Sequence, residues 1–225
     1  MAIAFPQEVD WHFTTIPRAT KKALDFLSTQ DWLRRSKWYL AGGTALALQT
    51  GHRVSVDLDF FTPQADFNTG RLVNRFQSVD WQTTSLREGT VYGTLLGAKV
   101  SFIAYPFFVP DAPPHWYGSV RVLDARDVAV MKIIAISQRG RKRDFFDLYW
   151  YVHHREPLIQ VMKRLKRQYP SVAHDYHHII KSMVYFADAE EDPMPRLRFQ
   201  ASWRQVKLFF KQEVARCAKE LLGLK

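Results

Sequence analysis

Apolar positions along the 225 residues change their period near the middle of the chain. Between Ile16 and Ser28 they recur every three to four residues beside Lys21 and Lys22, which predicts a surface helix. Tyr39-Leu40-Ala41 is short and apolar, Gly42-Gly43 interrupts it, and Thr44 to Thr50 reads as a short helix stopped by Gly51. Val54 to Phe61 alternates apolar and polar side chains and is closed by Thr62-Pro63, the pattern of a strand. Phe67 to Phe76 has helical spacing. Gln82–Leu86, Val91–Leu96 and Lys99–Tyr105 predict three further strands, the last two joined by a turn at Gly97-Ala98.

Beyond a loop containing Pro106, Pro110, Pro113 and Pro114, helical periods take over. Asp124 is the expected N-cap of a helix that reaches Gln138 and ends at Gly140. Lys142–His154 is a second helix, and three more are predicted near Pro157–Arg167, His174–Ala187 and Ser202–Leu222. This order predicts an α+β fold, a small mixed sheet with helices followed by a helical C-terminal region. The boundary falls near Leu123, giving an α/β core over residues 1–123 and a helical region over 124–225 that can pack with it as one globule.

Composition narrows the partners. Hydrophobic residues make up 47% of the chain and aromatics 14%, enough for a packed core, so intrinsic disorder is excluded. The net charge of +10 is unevenly spread. Residues 1–123 carry 12 basic and 10 acidic side chains, residues 124–225 carry 20 and 12. A charge gathered in one half points to a polyanionic partner. Cys217 is the single cysteine, which rules out a disulfide framework and a cysteine-based zinc site. No stretch has the length of a membrane span and the start, MAIAFPQEVDW, lacks a basic segment followed by an apolar run, so a soluble cytoplasmic protein with no membrane partner is expected.

The chemistry concentrates in AGGTALALQTGHRVSVDLDFF, residues 41–61. On a strand, Val54, Val56, Leu58 and Phe60 share one face and Arg53, Ser55, Asp57 and Asp59 the other. Two carboxylates at i and i+2 stand about 7 Å apart and repel each other unless a cation lies between them. Mg²⁺, which takes one or two carboxylates plus phosphate oxygens and water, meets that need. Gly42-Gly43-Thr44 supplies the complement: glycine lets a ligand approach the backbone, and the following helix offers free N–H groups and its positive dipole end. Arg53 and Ser55 could contact the same phosphates. Taken singly, an Asp-x-Asp is a solvated strand face and a Gly-Gly is a turn. Their conjunction puts a metal–triphosphate site on level terms with those readings.

Glycine–glycine–threonine, a short helix and Asp-x-Asp on a strand resemble the nucleotidyltransferase superfamily typified by DNA polymerase beta. Together with MKIIAISQRGRKRDFFDLYWY at residues 131–151, the string is similar to the AbiEii/AbiGii toxin family within it, over about residues 39–151. The resemblance implies Mg²⁺-dependent transfer of a nucleotide from an NTP to an acceptor, for relatives including the 3′ end of tRNA, in a type IV toxin–antitoxin or phage-defence setting with a cognate antitoxin. Residue by residue, Gly42, Gly43 and Thr44 match the glycine motif and Asp57 and Asp59 the metal-binding carboxylates. Lys132 matches the lysine of the following motif, Arg139 its terminal basic residue, and Asp144 the downstream aspartate, with Asp147 one turn later. The implied roles are neutralisation of the triphosphate by Lys132 and its orientation, or base action, by Asp144.

From spacing alone, Lys132 lies in line with Val128 and Ile136 and is expected to carry its ammonium to solvent unless an anion meets it. Asp144 and Asp147 share a helix face with Tyr151, and helix N-terminal charge compensation would account for them equally. Polymerase-beta-like enzymes place a third carboxylate on a neighbouring strand. Ser101 stands where that acid is expected, and no Asp or Glu occurs between Gly89 and Pro110. A catalytically weak nucleotide-, RNA- or antitoxin-binding module is therefore the alternative reading, and a phosphate-ester hydrolase a third. His153, His154, His174, His177 and His178 read as a solvated basic surface. Lys163, Arg164, Lys166, Arg167, Arg196, Arg198, Arg204, Lys207 and Lys211 favour a phosphate-backbone footprint, with Tyr169, Tyr176, Trp203 and Phe209 available for stacking.

Overall fold

A computed structural model describes residues 9–172 and 175–223. In chain order it contains α1 (Arg18–Ser28), α2 (Asp31–Arg34), β1 (Tyr39–Ala41), α3 (Gly42–Thr50), β2 (Leu58–Thr62) and α4 (Thr69–Val73). A hairpin series follows, β3 (Trp81–Arg87), β4 (Thr90–Leu95) and β5 (Ala98–Ala104), then a short ribbon, β6 (His115–Tyr117) and β7 (Val120–Val122). The remainder is helical: α5 (Ala125–Arg139), α6 (Lys142–His154), α7 (Leu158–Gln168), α8 (Tyr176–Ser182), α9 (Ala187–Glu190) and α10 (Trp203–Leu222). Among the described residues the strands form one seven-stranded mixed sheet in the order β3-β4-β5-β2-β1-β7-β6.

The sheet's register sets the site. β2 runs parallel to β5, pairing Asp59 with Ser101, and antiparallel to β1, pairing Asp59 with Ala41, the residue before the glycine turn. Leu58 and Phe60 are fully buried on the other side of β2, where Phe60 stacks on Phe102. One hydrophobic cluster draws on both parts of the chain, joining Leu40, Leu46, Phe60 and Phe102 to Val128, Ile133, Phe146, Leu165 and Phe210. α5 packs against α3, α6, α7 and α8 and forms the wall facing the sheet.

Several helix boundaries follow local chemistry. Asp124 caps α5 by accepting from the Arg126 amide, and Gly140 ends it with a left-handed backbone. α6 spans Lys142–His154, as its period predicts. Ser202 begins α10 with a capping box in which Gln205 reciprocates.

Other expectations are corrected. The strand predicted from Val54 begins only at Leu58, because the preceding backbone pairs elsewhere: Val54 N–H donates to Arg196 O, Arg198 N–H to His52 O, and Ser55 N–H to Thr15 O. The alternation is also inverted there, with Val56 47% exposed while Arg53 and Ser55 are buried. The helix after the glycines starts at Gly42 rather than Thr44. Phe67–Phe76 shortens to α4 and a 3₁₀ turn, Asn74–Phe76. The helix predicted over His174–Ala187 is divided into α8 and α9, and His174 lies outside the described residues. The proline-rich loop holds β6 and β7, three residues each, too short for a period to register.

Ser202→Ala removes one half of the capping box on an exposed helix end that does not line the cleft. It should lower unfolding free energy by about 1 kcal/mol in urea titration, with nucleotide transfer unchanged.

Candidate active site: a cleft between the sheet and α5

A cavity of about 740 Å³ opens between the faces of β2, β4 and β5 and helix α5. Asp57 and Asp59 line it together, and Ser101, Ile103 and Tyr105 continue its floor along β5. Gly42 turns the chain from β1 into α3 with φ +69°, and a Cβ there would stand 3.1 Å from Asp59 Oδ2. At Gly43 a Cβ would stand 2.2 Å from Arg53 Nη2. Both glycines are thus required by close approach, and the N-terminus of α3 lies directly beside the Asp59 carboxylate. No side chain caps that helix end, which leaves its first amides for a ligand.

Asp59 is partly buried, and the desolvation this brings raises its carboxyl above its ordinary value. The Asp57 charge pushes the same way, while the Ser101 hydroxyl, donating to Asp59 Oδ1 at 2.6 Å, opposes the shift. Asp57 is more open, and Arg143 Nη1 approaches its Oδ2 to 3.7 Å. Thr44 holds this segment from beneath: its buried hydroxyl donates to the Asp57 carbonyl and lies 3.0 Å from Ser55 Oγ. The threonine of the motif thus fixes the carboxylate segment onto α3.

Beneath Gly43 is a buried charge cluster. The i, i+3 spacing of Asp144 and Asp147 sets both on one face of α6, and a single ammonium, Lys132 of α5, reaches each at 2.6 Å. Arg53 grips Asp147 through Nε at 2.5 Å and Nη2 at 2.9 Å, and donates Nη1 to Val54 O at 2.9 Å. His52 Nε2 completes the set at 2.8 Å from Asp147 Oδ1. Asp147 is fully buried, a cost that would raise its pKa; the Arg53 and Lys132 charges and the hydrogen bonds from Arg53 and His52 win, holding it well below the usual carboxylate range. Burial also drives His52 below its ordinary value, favouring the neutral imidazole.

The structure therefore places the sequence-derived candidates in two layers. Gly42, Gly43, Arg53, Ser55, Asp57, Asp59, Lys132 and Arg139 line the cleft, whereas Asp144 is wholly buried behind Lys132. Asp144 Oδ2 makes no hydrogen bond and has Arg139 Nη2 at 3.3 Å. The Lys132 ammonium goes to two aspartates rather than to solvent. Arg143 and His52 belong to the site but were not singled out by spacing. The basic tally of the helical region also changes: Lys163, Lys166 and Arg167 are exposed, but Arg164 is buried against Glu156. Tyr169 is core. His153 and His154 pack on Phe209 and Trp150, and among the described residues no three His, Cys, Asp or Glu side chains converge as a metal cluster.

The cleft thus combines a mixed sheet, two aspartates at the start of β2 and a glycine-opened helix, and comparison with known proteins gives its class. Residues 25–82 and 91–215 match the model of the family "Nucleotidyl transferase AbiEii toxin, Type IV TA system". An uncharacterized protein of Aquifex aeolicus (strain VF5) is 36% identical over 183 residues, covering 79% of this chain and 86% of that protein. The fold is similar to a crystal structure from H. pylori described as a nucleotidyltransferase, with TM-score 0.52 at 17% identity over 92% of this chain and 96% of the other. It is similar as well to MenT4, a nucleotidyltransferase toxin of Mycobacterium tuberculosis H37Rv, with TM-score 0.55 at 14% identity over 90% and 86%. The chain belongs to the AbiEii nucleotidyltransferase toxin family and is a transferase. Among the described residues no helix is long and apolar enough to cross a membrane.

Asp147→Asn leaves Arg53 and Lys132 without their shared buried anion and should cost about 3–5 kcal/mol of stability at neutral pH, read by urea unfolding. Because the Asp147 pKa is depressed on folding, its contribution is complete above the ordinary carboxylate range and lost as pH falls through its lowered value. The gap between wild type and variant should therefore close only in strong acid.

Proposed function

We propose that the protein transfers a nucleotidyl group from a nucleoside triphosphate to an RNA, tRNA foremost, as the toxin of a type IV toxin–antitoxin or phage-defence pair, acting in the cytoplasm. The observation that carries this reading is the contact of the Gly42 backbone with Asp59, which brings an open helix N-terminus and two carboxylates to one point of the cleft. The donor set suits Mg²⁺: two carboxylates of one segment, with room for triphosphate oxygens and water to complete six ligands. When bound there, the ion would neutralise charge on the phosphates and on the leaving pyrophosphate.

The chain's own residues do the positioning. Amides at the start of α3 receive phosphate oxygens, and Lys99, Arg139 and Arg143 add positive charge along the cleft. Arg53 and Lys132, committed to aspartates, give the cleft wall a fixed arrangement of charge. The acceptor hydroxyl oxygen forms the new bond to the α-phosphorus, the bond to the β-phosphate bridging oxygen breaks, pyrophosphate leaves and the hydroxyl proton passes to solvent. No third acid is needed for this sequence of bonds. Ser101, in the position of that acid, keeps Asp59 Oδ1 occupied and aims Oδ2 at the glycine turn. The excess of basic residues after residue 124, with Lys166, Arg196, Arg204 and Lys211 exposed, supports an RNA acceptor.

Incubation with each labelled NTP, Mg²⁺ and total RNA should move label into RNA, most of it into the tRNA fraction. Asp59→Asn should reduce incorporation about a thousandfold or more. Release of nucleoside monophosphate or phosphate without acceptor labelling would instead identify a hydrolase, and nucleotide binding without either would identify a binding module.

The same substitution should stabilise the fold. Asp59 has a raised pKa, so its stabilising influence is complete in acid and lost as pH rises through that value. Asp59→Asn should accordingly raise Tm by about 2–4 °C for each kcal/mol relieved at neutral pH, and the gain should vanish in acid.

A further inference from the structure

The cations lining the cleft differ in how firmly they are held. Arg53 and Lys132 are buried and held by Asp144 and Asp147 at 2.5–2.9 Å, so neither can follow a ligand. Arg143 differs. It is the second residue of α6, its side chain is 48% exposed, and among the described residues its one ion pair is with Asp57, at 3.7 Å. That separation is too long for a hydrogen bond and leaves the guanidinium's donors for another acceptor. A half-exposed cation thus sits beside a pair of carboxylates, in the position where it offsets their repulsion.

Resting on the reading of Asp57 and Asp59 as metal-binding carboxylates, we propose that Arg143 is a triphosphate-binding residue that exchanges partners on loading: it pairs with Asp57 in the free protein and moves to the nucleotide's phosphates when a divalent cation takes Asp57. A metal ion and a guanidinium repel each other, so they compete for Asp57 while no other anion is present. A triphosphate accepts both, the metal on one set of oxygens and the planar guanidinium fork on another. Arg143 should therefore oppose metal binding to the free protein and favour binding of the metal–nucleotide complex. A side chain with only a structural role would not reverse sign in this way.

The test is Mn²⁺ binding by electron paramagnetic resonance, with and without α,β-methylene analogues of the four nucleoside triphosphates, on wild type, Arg143→Gln and Arg143→Lys. The half-exposed position makes both variants compatible with folding, which thermal unfolding verifies. Arg143→Gln should bind Mn²⁺ alone about three- to tenfold more tightly than wild type and the Mn²⁺–analogue complex about tenfold more weakly, with Arg143→Lys between the two. Unchanged affinity in both arms, or a change of the same sign in both, would overturn the exchange while leaving the carboxylates as the metal site. Failure of the wild-type chain to bind Mn²⁺ in either arm would overturn the metal reading and the exchange with it.

Discussion

A fully buried carboxylate cannot remain charged without partners, and Asp147 has gathered them from two distant parts of the chain. Lys132 comes from α5, while Arg53 and His52 come from the segment between α3 and β2. Each partner would itself be costly to bury alone, so the cluster is stable only when complete. Its completion fixes three distances at once: α6 to α5, both helices to the sheet, and the carboxylate-bearing segment to the glycine turn. The cleft inherits its shape from that closure. Arg53 lies directly under Gly43, so any shift of the cluster would move the floor on which a phosphate would rest.

Above this balanced layer lies an unbalanced one. Asp59 is partly buried with only a serine hydroxyl and more distant cations to offset it, and Asp57 adds a like charge. A protein selected for stability alone would not keep such a pair. The two layers therefore divide the work: one spends its charges on itself and makes the site rigid, the other leaves two carboxylates and an uncapped helix end unmet. AbiEii family membership gives that division a chemical meaning, since nucleotidyl transfer depends on holding a polyphosphate and its acceptor in line.

Local chemistry made much of this readable in the sequence. The Gly42-Gly43 break, the Asp124 cap, the Gly140 stop and the two aspartates at i and i+2 each act within a few residues, so spacing reveals them. The parallel neighbour of Asp59 was also legible, because the alternation of β5 puts Ser101 on the cleft face. Residues 53–56 were misread for a physical reason. Their inward side is polar, and the partner that makes it so, Asp147, lies 94 residues away from Arg53. A similar separation hid the place of His52, and the fate of Lys132 was hidden because its anions belong to the next helix. Arg143 gave no periodic signal at all, since a half-exposed arginine at a helix start looks like any surface charge.

The central claim is that Asp57, Asp59 and the start of α3 together hold a metal-bound triphosphate. The most direct measurement is a crystal structure of the chain soaked with Mn²⁺ and a non-hydrolysable nucleoside triphosphate, using anomalous scattering to locate the ion. The account predicts an anomalous peak shared by the Asp57 and Asp59 carboxylates, with the triphosphate lying across the Gly42-Gly43 turn. An ion bound away from those carboxylates, or a nucleotide seated elsewhere on the molecule, would contradict it.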